Sequence, residues 1–186
     1  MQNKIEHMKG MIAGILEFAR LNQQLPNAEL LDLKSLISNL YINDAENVSI
    51  NITSDLPPLN MNTVVAEQLF QNLLNNAIKY NKSENKEIVF EANQSENEII
   101  YSVADNGIGI SEQHFNKIFD IFQTVGPKGT ESTGIGLAIV KKIVDSYGGT
   151  IWVKSQLGEG STFYFTLPYA QVNNPIKTTQ PTLLSL

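Results

Sequence analysis

Three short segments carry residue types whose spacing suits chemistry. In the first, Asn72, Asn76, Lys79 and Tyr80 fall at i, i+4, i+7 and i+8, so a helix would present them on one face. Carboxamides are mediocre helix formers, and Asn72, Asn75 and Asn76 crowd into one stretch. A hard cation supplies a reason. Mg²⁺ takes oxygen ligands, few of them from protein, and leaves the rest of its shell to phosphate and water. Lys79 would then neutralise phosphate oxygens; a solvated helix face explains the same residues as well. In the second, Asp105-Asn106-Gly107-Ile108-Gly109-Ile110 follows an apolar alternating run. Asp105 is a fixed acceptor suited to an exocyclic amine such as that of adenine. Gly107 and Gly109 permit positive φ and close approach of a ligand to the backbone; an ordinary Asn-Gly turn is the plainer alternative. In the third, Gly134-Ile135-Gly136-Leu137 opens a helical pattern, and free N–H groups at a positive helix end bind anions. Here a glycine start required by packing would look the same. The Gly-Lys-Ser/Thr end of a P-loop and the preceding strand of a dinucleotide fingerprint are both missing.

These segments need elements to hold them. Periodicity predicts helices over residues 5–21, 33–41 (with Asp32 as N-cap), 62–80 and 136–147, and a short helical piece over 115–122. Strands are predicted at 48–53, 87–92, 98–104, 150–155 and 161–167, the second pair joined by a turn at 94–97 and the last pair by Gly158-Glu159-Gly160. Helices and strands that do not alternate strictly indicate an α+β fold, a two-layer sandwich whose mixed sheet is covered by helices on one face. The first helix lies outside it, with an apolar stripe of Met8, Met11, Ile12, Ile15, Leu16 and Ala19 that wants a partner helix. The expected organisation is residues 1–26 as that appendage, 27–170 as the sandwich and 171–186 as a disordered tail.

Composition narrows the function. The 186 residues suffice for one sizeable core. No apolar run of spanning length and no signal peptide is visible, and the expected location is cytoplasmic. The absence of cysteine excludes disulfides and thiolate chemistry. A formal charge of −6 argues against nucleic acid as a partner, while backbone N–H groups can still bind phosphate locally.

In this order and spacing, the segments resemble the catalytic domain of sensor histidine kinases, part of an ATPase superfamily shared with type II topoisomerases and mismatch-repair proteins. Asn72 to Tyr80 resembles the asparagine box and Asp105 to Ile110 the first glycine box. Phe119-Asp120-Ile121-Phe122 resembles the phenylalanine box, Gly134 to Leu137 the second glycine box, and Gly158-Glu159-Gly160-Ser161-Thr162-Phe163 the closing signature. The resemblance covers about residues 30–168, and the segment after Phe122 is most similar to kinases of the phytochrome-associated type. It implies a transferase of two-component signalling that moves the γ-phosphoryl group of Mg-ATP to a histidine. It makes Asn76 the Mg²⁺ ligand, Asn72 its support, Lys79 a phosphate contact and Tyr80 part of the nucleotide wall. Asp105 would hold the adenine amine, with Gly107 and Gly109 beneath the ring, Ile110 beside them and Thr162 ordering a water. Gly134, Gly136 and Leu137 would donate to phosphate, and 123–133 would form a mobile ATP lid with Phe119 and Phe122 packed in the core at its base. The first helix resembles the second helix of the family's dimerisation and phosphotransfer hairpin. The first helix of that hairpin is not recognisable: His7, followed by Met8-Lys9-Gly10, and His114 both lack the phosphoacceptor pattern. The acceptor is therefore expected outside this sequence. The implied partners are the kinase's own phosphotransfer segment and a response-regulator receiver domain, with room for a homodimer through the first helix and no membrane contact. Two alternatives are a nucleotide-binding scaffold without kinase output and an ATPase of the topoisomerase or mismatch-repair branch.

Overall fold

The computed structural model describes residues 2–20, 28–40, 47–53, 55–94, 98–125 and 132–168. Residues 126–131, the tail from 169 and residues 95–97 of the expected turn lie outside the described residues. In chain order the elements are α1 (Gln2–Arg20), β1 (Glu29–Leu31), α2 (Leu33–Leu40), β2 (Val48–Ile52), β3 (Leu59–Met61), α3 (Thr63–Lys79), β4 (Lys86–Gln94), β5 (Glu98–Asp105), α4 (Gly136–Ser146), β6 (Ile151–Gln156) and β7 (Gly160–Pro168). Five strands form one mixed sheet in the order β2-β4-β5-β7-β6, and β1 pairs with β3 in a separate two-stranded ribbon. Only the β2–β4 pair of the main sheet is parallel. The expected two-layer α+β sandwich is the observed architecture.

The alternation along each strand decides which face is covered. Ile99, Tyr101 and Val103 of β5 and Phe163, Phe165 and Leu167 of β7 are buried against the helices. Helix α3 presents Val65, Ala66, Leu69, Phe70, Leu73, Leu74 and Ala77 to that face, and Phe70 lies 6.2 Å from Phe90 and 6.0 Å from Phe165, ring centre to ring centre. The Asn62 side chain accepts from Val65 N at 3.3 Å and caps α3. Buried Tyr147 lies just beyond α4, and its hydroxyl accepts from Asn62 N at 3.3 Å, pinning the start of α3 to the end of α4. Asp32 caps α2 as expected, accepting from Lys34 N and Ser35 Oγ.

Three expectations change. The ribbon β1–β3 was not expected, because three-residue strands are too short to show a period. Residues 115–122 form no α-helix: a 3₁₀ turn at Glu112–His114 runs into further turns, with Phe115 N donating to Glu112 O and Asp120 N to Lys117 O. The apolar spacing there buries Ile118 without a continuous helix. The first helix, expected outside the sandwich, touches it, though not through its apolar stripe: Met8, Ile12, Ile15 and Leu16 are exposed. The face bearing Gly10, Gly14 and Phe18 packs instead, with Gly14 against Ile135 and Lys142 Nζ donating to Phe18 O at 2.7 Å while lying 3.9 Å from the Phe18 ring centre. Among the described residues no helix is long and apolar enough to cross a membrane.

Candidate functional site

One cleft opens where the ends of α3 and β5 approach the start of α4. It encloses about 640 Å³, part of it open to solvent, and is lined by Asn76, Tyr80, Asp105, Gly109, Ile110, Gly134, Gly136 and Leu137 of the expected set. Ile108, Ile118, Val125 and Phe163 add apolar walls, and Gln123, Ser132 and Ser161 add polar ones.

Asp105 ends β5 directly opposite Ser161 of β7. Gly107 N donates to its Oδ1 at 2.8 Å. Burial pushes its carboxyl up to about 6, against the opposing pull of the Gly107 and Ser161 backbone N–H groups. Above that pH the group is an ionised acceptor in a partly dry pocket. Asn76 stands across the cleft on α3, and its buried Nδ2 has no hydrogen-bond partner among the described residues. A buried orphan donor costs free energy unless a ligand satisfies it, so the carboxamide is poised for a ligand carrying acceptor oxygens. The α4 N-terminus has no side-chain cap at Ile135, leaving its first N–H groups for an anion.

Gly109 has the positive φ that was expected of it, at +69°, and Gly107 does not; Gly134 takes φ +67°. A Cβ on Gly109 would lie 2.0 Å from Gln156 O, and one on Gly134 would lie 2.7 Å from Phe122 C. These glycines are required first by neighbouring backbone, and that packing brings their main chain to the cleft wall. Gly136 leaves room for Asn72, whose Oδ1 would be 2.8 Å from a Cβ there.

Four expected residues do not line the cleft. Asn72 lies behind it, with Nδ2 donating to Gln68 O at 2.8 Å, where it supports the α3–α4 contact. Lys79 is exposed, its Nζ 5.8 Å from the Tyr80 ring centre. Gly107 is buried beneath Asp105 Oδ1 and Tyr80 O. Thr162 follows Ser161 on β7, and strand alternation turns successive side chains to opposite faces, so Ser161 rather than Thr162 reaches the cleft. Phe119 packs against the core as expected. Phe122 does not: it is 49% exposed. It sits at φ +66°, strained for an aromatic residue, and its N–H, donating to Gly134 O at 2.9 Å, ties the two ends of the expected lid together.

Sequence reasoning missed two polar supports. Asn106 Oδ1 accepts from Asn81 Nδ2 at 2.6 Å and Glu87 N at 2.9 Å, and its Nδ2 donates to Asn85 O at 3.0 Å. Ser83 Oγ donates to Asn106 O, and Ile108 N to Tyr80 O. The residue beside Asp105 thus welds the end of α3 to the end of β5. The second support is Ser155, which joins the loop at Ile110 to β7.

Residues 61–171 match the family of histidine kinase-, DNA gyrase B- and HSP90-like ATPases. Cyanobacterial phytochrome A of Nostoc sp. (strain PCC 7120) is 40% identical over 166 residues, which make up 87% of this chain and 22% of the phytochrome. The chain thus spans about a fifth of that relative. The structure of full-length ShkA in complex with AMPPNP aligns with a TM-score of 0.70 at 25% identity, over 87% of this chain and 36% of that one. Histidine kinase ThkA, solved in complex with response regulator protein TrrA, shares the fold with a TM-score of 0.69 at 23% identity, over 93% of this chain and 50% of ThkA.

Proposed function

The chain belongs to the histidine kinase-, DNA gyrase B- and HSP90-like ATPase family, and from that premise we propose that it is the ATP-binding catalytic portion of a sensor histidine kinase. One observation carries the reading: a single cleft gathers the acceptor Asp105, the orphaned carboxamide of Asn76 and the uncapped start of α4. Asp105 accepts from the adenine amine, and Ile108, Ile110, Leu137 and Phe163 enclose the ring. The main chain from Gly134 to Leu137 donates to phosphate oxygens.

The residues also fit a magnesium ion. Among the described residues no cluster of His, Cys, Asp or Glu could hold a metal by itself, but Mg²⁺ bound through phosphate needs few protein ligands. Asn76 Oδ1 would be that ligand, leaving the orphaned Nδ2 to donate to a phosphate oxygen. When bound, the ion neutralises charge on the phosphates. Phosphoryl transfer asks the protein chiefly for positioning and charge stabilisation. A histidine nitrogen on the kinase's phosphotransfer segment attacks the γ-phosphorus, the bond to the β,γ-bridging oxygen breaks, and ADP leaves with the electron pair. A response-regulator receiver domain is the next acceptor.

Calorimetric titration of ATP with and without Mg²⁺ tests the assignment. The wild type binds one nucleotide, and Asn76→Ala loses more affinity with the metal than without it. Equal losses in both conditions would make Asn76 a structural residue or a base contact.

A further inference from the structure

Ser155 lies outside the cleft, on β6, yet its hydroxyl meets three groups. Ile110 N donates to Ser155 Oγ at 2.7 Å. Ser155 Oγ donates to Gly160 O at 2.7 Å. Ser155 Oγ and Ser161 Oγ are 3.0 Å apart. A serine hydroxyl has one proton to give and two lone pairs to offer. The Gly160 carbonyl can only accept, so it takes the Ser155 proton. The Ile110 N–H can only donate, so it takes one lone pair. The contact with Ser161 is then satisfied in one way, by the Ser161 proton pointing to the second lone pair of Ser155. Ser161 is 7% exposed and lines the cleft directly opposite Asp105 in the β5–β7 register. With its proton turned inward, it offers the cleft acceptor lone pairs alone.

We infer that Ser155 is a specificity-determining positioning residue: by holding the Ser161 proton, it makes Ser161 a pure acceptor beside Asp105, so that the site selects a purine bearing an exocyclic amine over one bearing a carbonyl at the same position. The inference rests on the nucleotide reading above and extends it to base selection. Two acceptors side by side suit the two N–H bonds of the adenine amine. They face the lone pairs of a 6-oxo group unfavourably. Removing the Ser155 hydroxyl frees the Ser161 proton to rotate into the cleft, where it can donate to that oxo group.

ATP and ITP probe this difference: adenine carries a 6-amino group beside an unprotonated N1, and hypoxanthine a 6-oxo group beside an N1–H. Binding of each is measured by calorimetry at pH 7.5, for the wild type, Ser155→Ala, Ser155→Thr and Ser161→Ala. The wild type prefers ATP. Ser155→Ala narrows the ATP-to-ITP preference by roughly tenfold, the scale of one hydrogen bond. Ser155→Thr, which keeps the hydroxyl, retains the preference. Ser161→Ala weakens ATP more than ITP and stands in for Ser155→Ala should that variant lose its near-ultraviolet circular dichroism. A Ser155→Ala protein that binds both nucleotides more weakly by the same factor would reduce Ser155 to a structural role and overturn the inference. A wild type that binds ATP without preference over ITP would overturn it while leaving the nucleotide site intact; a wild type that binds neither would overturn the nucleotide reading itself.

Discussion

Replacing Asp105 with Asn should trade function for stability. Burial raises the carboxyl from 3.8 to about 6, so the folded chain holds this proton more tightly than the unfolded chain does. Stability therefore falls as pH rises from about 4 to about 6 and stays lowered above that range. A shift of about two units, at about 1.4 kcal/mol per unit, places the upper bound of this penalty near 3 kcal/mol at pH 7.5. Asn accepts from the Gly107 and Ser161 N–H groups without ionising, so Asp105→Asn relieves the penalty. The ligand-free variant should melt higher than wild type at pH 7.5, by about 2–4 °C for each kcal/mol relieved, and the advantage should vanish at pH 4. In the same protein, ATP affinity at pH 7.5 should fall roughly 5- to 150-fold, the worth of a charge-assisted bond. Melting curves of both proteins from pH 4 to 8, with parallel ATP titrations, test this. A variant that melts lower than wild type at pH 7.5, or binds ATP as tightly, would refute the reasoning.

Other sites give sharper structural tests. Gly134→Ala puts a Cβ at φ +67° against the Phe122 backbone; it should cost roughly 1–3 kcal/mol by denaturant unfolding, and an unchanged midpoint would contradict the observed turn. Asn106→Ala leaves buried Asn81, which is 4% exposed, without its Oδ1 partner. It should cost about 1–3 kcal/mol for each group left unsatisfied and loosen the α3–β4 loop, read as faster amide hydrogen exchange at Ser83 and Glu87. Exchange at wild-type rates would remove Asn106 from the role of support. Exchanging Lys142 for Met should release α1 from α4, faster exchange in α1 being the readout, while ATP affinity holds within about twofold because Lys142 lies outside the cleft.

Helix α3 was legible because seven buried positions repeat at helical spacing behind the Asn62 cap. Asp105 and the second glycine turn were legible because few residue types fit a strand end or a positive φ. The site was hidden where identity mattered less than phase. Ser161 shares the inward face of β7 with Phe163, Phe165 and Leu167, and that alternation could have distinguished it from Thr162. Asn81, Ser83 and Asn106 sit in polar loops with no period, and only the fold brings them together. In α1 the strong apolar stripe drew the reading, whereas two glycines and Phe18 make the contact. The strained Phe122 backbone has no sequence signal, since aromatic residues rarely adopt that conformation.

On the proposed function, this cleft delivers a phosphoryl group to histidine. The most direct measurement incubates the chain with γ-labelled ATP and Mg²⁺, alone and with a separate two-helix segment carrying a phosphoacceptor histidine, then treats the products with acid and alkali. Acid-labile, alkali-stable label is expected on the added segment, with its loss in Asp105→Asn and no label on the chain alone. A segment that stays unlabelled while the chain binds ATP, or a chain that labels His7 by itself, would contradict the proposed function.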